Sequence, residues 1–260
     1  MPVIALITDF GTLSPYVGLM KGEMLKHHKD LTIVDLTHGI HPQSILEGAF
    51  LLGKSIDYFP KNSIFIAVID PDVGTKRPAV FFKALDQHFV GPNNGLFSEF
   101  IHNVDKKEFY EVSTPRLSEY GPISSTFHGR DVFSRVASLF LEDKRDFLKP
   151  STQKLVYIPK YHAQTIGLKT IGLIAHIDSF GNLITNIPYT DKHAHTGKKP
   201  IATLENHIIT LNVKTYANAS SCFPFFLTSS FGTLEIAFKG KSAQAFFDVT
   251  IGTKVELLYE

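Results

Sequence analysis

Short, wholly apolar runs alternate with amphipathic stretches through the first seventy or so residues of the chain. Pro2–Ile7 is continuously apolar and ends at the polar turn TDFG, Thr32–Leu36 reads as a second strand, and Ser63–Ile69 is apolar after its first residue. Runs of this length and uniformity predict strands covered on both faces. Between the first two, Tyr16–His27 sets Val17, Met20, Met24 and His27 at three- and four-residue steps, which predicts an amphipathic helix. Ser44 followed by Glu47 has the spacing of a capping box and predicts a second helix running through Ile56. Strand, helix, strand, helix, strand is the order of a parallel sheet with right-handed crossovers. Ligands of such sheets sit beyond the C-terminal ends of the strands. Thr8–Gly11, Thr37–Pro42 and Asp70–Arg77 fall at those ends and are expected to line one rim.

Further along, Ala79–Phe82 and Gln87–Val90 read as strands before the turn GPNNG, and Val132–Leu141 reads as a helix. The texture then changes. Glu142–Lys160 is charged and punctuated by proline, as a linker is. From Leu168 onward the runs GLIAHID, NLITNI, HIITLNV, FFLTSS, TLEIAF and KVELLY are short, β-like and separated by turn signals. They predict a small antiparallel barrel or sandwich. The expected organisation is an N-terminal α/β domain over 1–150, a linker over 151–166 and a smaller all-β domain over 167–260.

Composition narrows the partners more than the fold. A net charge of +1 gives no basis for a nucleic-acid or charged-membrane partner. No apolar stretch reaches the ~18 residues that span a bilayer. The N-terminus has neither a basic region nor a small-residue cleavage site, so it reads as a first strand rather than a signal peptide. One cysteine, Cys222, allows no intrachain disulfide and no thiolate cluster. A cytoplasmic protein is the expectation. With 22 phenylalanines and no tryptophan, any flat apolar pocket is built from Phe and Tyr.

Several residues carry candidate chemistry, each with a plainer reading beside it. Asp9, directly after the first strand, suits a ribose diol, or caps its own turn. In VIDPDVGTKR, residues 68–77, Arg77 is expected to pair with Asp70, either to orient a water or to pin a loop. His128, in SSTFHGRDVF, stands before a helix whose positive dipole end favours neutral imidazole; otherwise it is a loop histidine bonded to backbone. His38 and His41, in HGIHP, lack the placement of a metal pair, and no metal is expected. Asn182, in SFGNLITN, can pair with the edge of an adenine and Phe180 can lie on its face, though Gly181-Asn182 is also an ordinary turn. No dinucleotide fingerprint, phosphate loop or nucleophile elbow occurs, which argues against dinucleotide, nucleoside-triphosphate and serine-hydrolase chemistry.

Together TDFG, PYVGLMKG (15–22), IVDLTHGI (33–40), EGAFLL (47–52), VIDPDVGTKR, FVGPNNG (89–95), TFHGRDVF (126–133), IDSFGNLITNI (177–187) and SFGTLEIA (230–237) resemble, in order, the S-adenosylmethionine hydrolases, or SAM hydroxide adenosyltransferases, relatives of the fluorinases and chlorinases. The resemblance implies an α/β domain with a C-terminal β-barrel, and a homotrimer whose sites lie between subunits. It implies S-adenosylmethionine cut to adenosine and L-methionine, with no cofactor. Asp70, Arg77 and His128 match the family's catalytic residues, and Asp9 its ribose-binding aspartate. Asp178, Asn182 and Ser230 match its methionine- and adenine-contacting positions, with Phe180 beside the adenine. Asp72, Asn93 and Lys239 depart from the pattern, which carries Gly, Asp and Asn there. A non-catalytic binder of S-adenosylmethionine or adenosine and a halide-using adenosyl transferase are the other readings.

Overall fold

Strand β1 (Ile4–Thr8) runs between β2 (Ile33–Thr37) and β3 (Ile64–Val68), parallel to both. The computed structural model describes residues 3–190, 198–219 and 222–260, so Pro2, expected to open the first strand, lies outside it. The chain divides into two units, Met1–Ile158 and Pro159–Glu260.

In the first unit β5 (Gln87–Pro92) adds to β3 in parallel. The sheet then turns antiparallel through β4 (Ala79–Ala84), β6 (Val104–Val112) and β7 (Leu148–Pro150), giving the order β2-β1-β3-β5-β4-β6-β7. Alternate residues of β1 and β3 enter opposite cores, which is why neither strand carries an interior polar residue. Ile4, Leu6, Ile64 and Ile66 pack with Met20, Met24, Val132 and Phe133. Ala5, Ile7, Phe65 and Ala67 pack with Leu52, Ile56, Phe97 and Phe100 on the other face. Much of the phenylalanine goes into that second core, where Phe65 stacks on Phe89 at 5.2 Å and Phe82 meets Phe97 edge-on at 4.9 Å.

Helix α1 spans Tyr16–His27 as the spacing predicts, and its buried stripe is Met20, Glu23 and Met24. Glu23 is tolerated there because Arg135 donates to it from Nε and Nη2 at 3.2 and 3.1 Å. Helix α2 (Ile45–Ser55) starts after Ser44, but the serine side chain makes no cap. The buried Glu47 carboxylate instead accepts the backbone N–H of His41 at 2.8 Å, three residues before the position a capping box uses. A short helix, α3 (Thr114–Leu117), follows β6. The helix expected over Val132–Leu141 opens as a π-helical turn, Gly129–Ser134, and continues as α4 (Arg135–Leu141).

The charged segment Glu142–Lys160 is less free than its composition suggests. It contains β7, and beyond it Asn93 takes the N–H of Val156 at 2.7 Å and donates to the carbonyl of Lys154 at 3.2 Å. The N–H of Ile158 donates to Ser98 Oγ.

The second unit is an antiparallel, nearly closed barrel of β8 (Gln164–Ile166), β9 (Lys169–Ile177), β10 (Leu183–Pro188), β11 (Pro200–Leu204), β12 (His207–Ile209), β13 (Phe225–Thr228), β14 (Thr233–Ala237) and β15 (Lys254–Tyr259). Its core gathers Ile174, Leu183, Ile187, Phe226, Leu234, Ile236, Val255 and Leu257. A mixed α/β first unit and an antiparallel barrel are the architecture expected.

His88, on β5, is 9% exposed, stacks on Phe81 at 5.7 Å, and its Nδ1 has no hydrogen-bond partner among the described residues. Burial pushes its pKa below the ordinary 6.5, helped by Lys83 and Arg145 and opposed by Glu108. The unfolded chain therefore takes up this proton first, and stability is lost as pH falls below about 6.5. Thermal unfolding of His88→Leu is expected to lose less stability than wild type between pH 7.5 and 5.5 (about the span of this titration); parallel losses contradict the assignment.

Candidate active site

The loop after β3 folds back on itself. The N–H of Val73 donates to the carbonyl of Asp70 at 3.3 Å, and Thr75 donates to the carbonyl of Asp72 from both N–H and Oγ1, at 3.1 and 2.8 Å. These turns return Arg77 to Asp70. Its Nε donates to Oδ1 at 2.7 Å and its Nη2 to Oδ2, a two-point grip between side chains only 7% and 4% exposed. Asn94 braces the start of the loop, donating from Nδ2 to the carbonyl of Ile69 at 2.8 Å.

A second loop supplies the imidazole. Gly74 has φ +81°, and a Cβ there would lie 2.6 Å from the carbonyl oxygen of Ser125. The two loops therefore touch through backbone, and only glycine fits that approach. The contact sets Arg77 Nη2 2.8 Å from His128 Nδ1, where His128 precedes the π-helical turn. The sequence-predicted Asp70, Arg77 and His128 thus form one hydrogen-bonded chain.

Arg77 has only donors, so Nδ1 of His128 must accept and the ring hydrogen of a neutral His128 sits on Nε2. The electrostatics agree. His128 titrates below its ordinary range, first because it is buried and second because of the Arg77 charge, with Asp70 and Asp131 pulling the other way. The direction matches the sequence expectation, but burial and a guanidinium cause it. Arg77 Nη1 is buried and has no hydrogen-bond partner among the described residues. Arg77 and His128 share a cavity of about 580 Å³ with Lys76, Thr114, Ser118 and Ser125.

Asp9 stands on the neighbouring turn, after β1. One carboxylate oxygen accepts the N–H of Gln43 at 2.8 Å. Burial raises its pKa, backbone N–H groups of Gln43 and of Asp9 itself lower it, and the charge of Asp70 adds to the rise. Beside it Phe10, Tyr16 and Phe127 form an aromatic wall with ring centroids 5.2 to 6.0 Å apart. Asp72 is exposed on the outer turn, contributing its carbonyl to the loop. His38 and His41 turn to different partners: His38 to Thr8 and Asp35, and His41 to Glu47.

The second unit carries the other predicted residues. Asp178 Oδ1 accepts the N–H groups of Phe180 and Asn182, and Oδ2 accepts Asn182 Nδ2, each at 2.9 Å. This turn leaves Phe180 77% exposed at the edge of a cavity of about 600 Å³ shared with Asp178, Asn182, Tyr216, Phe238 and Lys239. Ser230 is exposed, next to the buried Ser229 that holds Thr233. Sequence reasoning missed Tyr216, whose hydroxyl donates to the buried carboxylate of Glu235. Burial pushes both pKa values up. A lone acid inside the apolar run TLEIAF was the available signal. Lys239 is tied to the carbonyl of Ala219 at 3.0 Å. Among the described residues no group of three or more His, Cys, Asp or Glu is arranged to hold a metal.

The fold and the buried acid–guanidinium–imidazole chain describe a two-part protein with a candidate site at the ends of the parallel strands of a mixed sheet. Family models carry this further. The SAM hydroxide adenosyltransferase N-terminal domain matches residues 4–147 and the corresponding C-terminal domain residues 172–256. The chain belongs to the SAM hydroxide adenosyltransferase family. It is 35% identical over its full length to the (R)-S-adenosyl-L-methionine hydrolase of Methanocaldococcus jannaschii, covering 97% of that protein. It is 30% identical to the hydrolase of the same name from Thermus thermophilus, covering 99% of this chain and all of the other. A fluorinase from an Actinoplanes species is 30% identical over 73% of each chain. The crystal structure of an uncharacterised conserved protein from Thermotoga maritima superimposes with a TM-score of 0.85 at 26% identity, covering 98% of this chain and 99% of that one.

Because Arg77 holds the His128 pKa down, Arg77→Met is expected to raise its NMR titration midpoint, leaving the opposite pull of Asp70 in place. An unchanged midpoint contradicts the contact.

Proposed function

We propose that this chain hydrolyses S-adenosyl-L-methionine to adenosine and L-methionine by direct attack of water on the ribose C5′. The support from relatives is the full-length similarity to two proteins named (R)-S-adenosyl-L-methionine hydrolase. The observation that carries the reading within the molecule is Arg77 Nη1, a buried cationic donor left over after Asp70 and His128 have taken the rest of the fork. A buried donor of this kind is normally satisfied. A water or nascent hydroxide is the partner that the chemistry requires.

Displacement at C5′ expels a neutral thioether from a sulfonium cation, so the leaving group needs neither a proton nor a Lewis acid. Catalysis then reduces to placing one nucleophile in line and supporting its developing charge. Arg77 holds the water and Asp70 holds Arg77. His128, bearing its hydrogen on Nε2, orients the oxygen as a donor. Asp70, whose two oxygens both take Arg77, keeps that guanidinium in place, and the proton leaves to surrounding water once the C–O bond has formed and the oxygen is strongly acidic. The same carboxylate disfavours a halide at this spot, which separates the hydrolase reading from a fluorinase-like one. Asp9 takes the ribose diol.

Asp178, Asn182, Phe180 and Ser230 are assigned to the methionine and adenine ends of the same substrate, with the site completed between subunits of a homotrimer. This assignment rests on the family resemblance. The reaction is assigned as metal-independent and the protein as cytoplasmic; among the described residues no helix is long and apolar enough to cross a membrane.

Incubation with S-adenosylmethionine is expected to release adenosine and methionine in equal amounts, with heavy oxygen from labelled water in the adenosine 5′-hydroxyl. Unlabelled adenosine would sink the direct-displacement route. Asp70→Asn is expected to slow turnover by about a hundredfold or more while substrate affinity changes by less than about fivefold, because the lost interaction strengthens only in the transition state. Equal losses in both would move Asp70 from catalysis to binding.

A further inference from the structure

HGIHP, set aside above as a metal motif, lies directly against the turn that carries Asp9. We propose that His38 is a positioning residue for nucleoside binding, fixing Asp9 from beneath through Thr8. This rests on the assignment of Asp9 to the ribose diol.

Four hydrogen bonds converge on this turn. His38 is 7% exposed and Thr8 is fully buried, and His38 Nδ1 lies 2.9 Å from Thr8 Oγ1. Thr8 Oγ1 in turn accepts the N–H of Phe10 at 3.2 Å. The His38 carbonyl accepts the N–H of Gly11 at 2.8 Å. From the same loop Gln43 donates its N–H to Asp9 Oδ2 at 2.8 Å. Gln43 does so at φ +64°, a left-handed conformation costly for any residue but glycine. Loop 38–43 therefore holds the turn at Thr8, Phe10 and Gly11 and holds the Asp9 carboxylate itself.

The imidazole is oriented from its far side. His38 Nε2 lies 3.1 Å from Asp35 Oδ1, and Lys21 Nζ is 2.6 Å from Asp35 Oδ2. Nε2 makes no hydrogen bond of good geometry among the described residues. A ring lone pair facing a carboxylate at that distance is repelled, however, so in a neutral ring the hydrogen sits on Nε2 and Nδ1 receives the Thr8 hydroxyl. The Thr8 oxygen is then an acceptor for Phe10. Donation runs one way from Phe10 through Thr8 to His38, whose far side faces the Asp35 charge that Lys21 also meets. This resembles a nucleophile–imidazole–carboxylate triad in the order of its groups, but the hydroxyl is sealed from solvent. Its available work is to set a backbone turn. A carboxylate gripping two adjacent hydroxyls depends on the placement of both its oxygens, so loosening the turn weakens the diol contact specifically.

The test uses nucleoside binding, which does not require turnover. Adenosine and 2′-deoxyadenosine affinities are measured by calorimetry for wild type, His38→Leu, Thr8→Val and Thr8→Ser. Thr8→Val keeps the shape of a buried strand residue and loses only the hydroxyl, so it guards against a His38 variant that fails to fold. Thr8→Val and His38→Leu are expected to weaken adenosine by about tenfold but 2′-deoxyadenosine by less than about twofold, since one contact of the diol is already gone. Thr8→Ser is expected to restore adenosine affinity. Equal weakening of both nucleosides, no weakening, or a wild type that does not distinguish them would overturn the proposal. Discrimination that follows these variants in a protein releasing no methionine from S-adenosylmethionine would overturn the hydrolase reading alone.

Discussion

The guanidinium of Arg77 is the group around which the first unit's site is built. Its fork takes Asp70 with two nitrogens, offers one of those nitrogens to His128, and keeps Nη1 in reserve. Removing either partner of so buried a pair leaves a charge uncompensated, at a cost on the order of 3–5 kcal/mol. The pair is therefore poor material for stability alone. It makes sense where a fixed donor array has a task, and here the array leaves Nη1 without a partner among the described residues while Nη2 meets the imidazole.

The rest of the unit exists to present that fork. Parallel strands β1, β2 and β3 end at one rim, so Asp9, His38 and Asp70 leave the sheet side by side. The approach of the Gly74 and Ser125 backbones then draws a segment some fifty residues downstream onto Arg77 (His128 is 51 residues on). A side chain at Gly74 would hold these loops apart. The π-helical turn from Gly129 to Ser134 follows His128 immediately, and such widened turns often accompany functional sites.

Much of this was legible because it is local. Wholly apolar strands, the spacing of α1 and the position of the rim follow from short-range pattern. The Asp70–Arg77 pair is separated by one tight loop. What the pattern could not show depends on packing. β7 looked like linker because an edge strand paired on one side carries charged residues. Ser44 and Glu47 have capping-box spacing, yet Glu47 serves His41, because the chain before the helix comes within its reach. His38, set aside as a metal ligand, has no role in the pattern, because only the fold puts Thr8 and Asp35 on either side of its ring. Tyr216 and Glu235 lie nineteen residues apart, and only the barrel brings them together.

Under the proposed hydrolysis, the first unit's site answers one chemical demand: a single oxygen placed behind a carbon whose leaving group departs without help. The most direct measurement is a crystal structure with S-adenosylmethionine or a non-reactive analogue bound. The account predicts an ordered water about 3 Å from Arg77 Nη1, also donated to by His128, and in line with the C5′–sulfur bond. Arg77 Nη1 bound instead to the substrate's methionine carboxylate, with no water facing C5′, would contradict it.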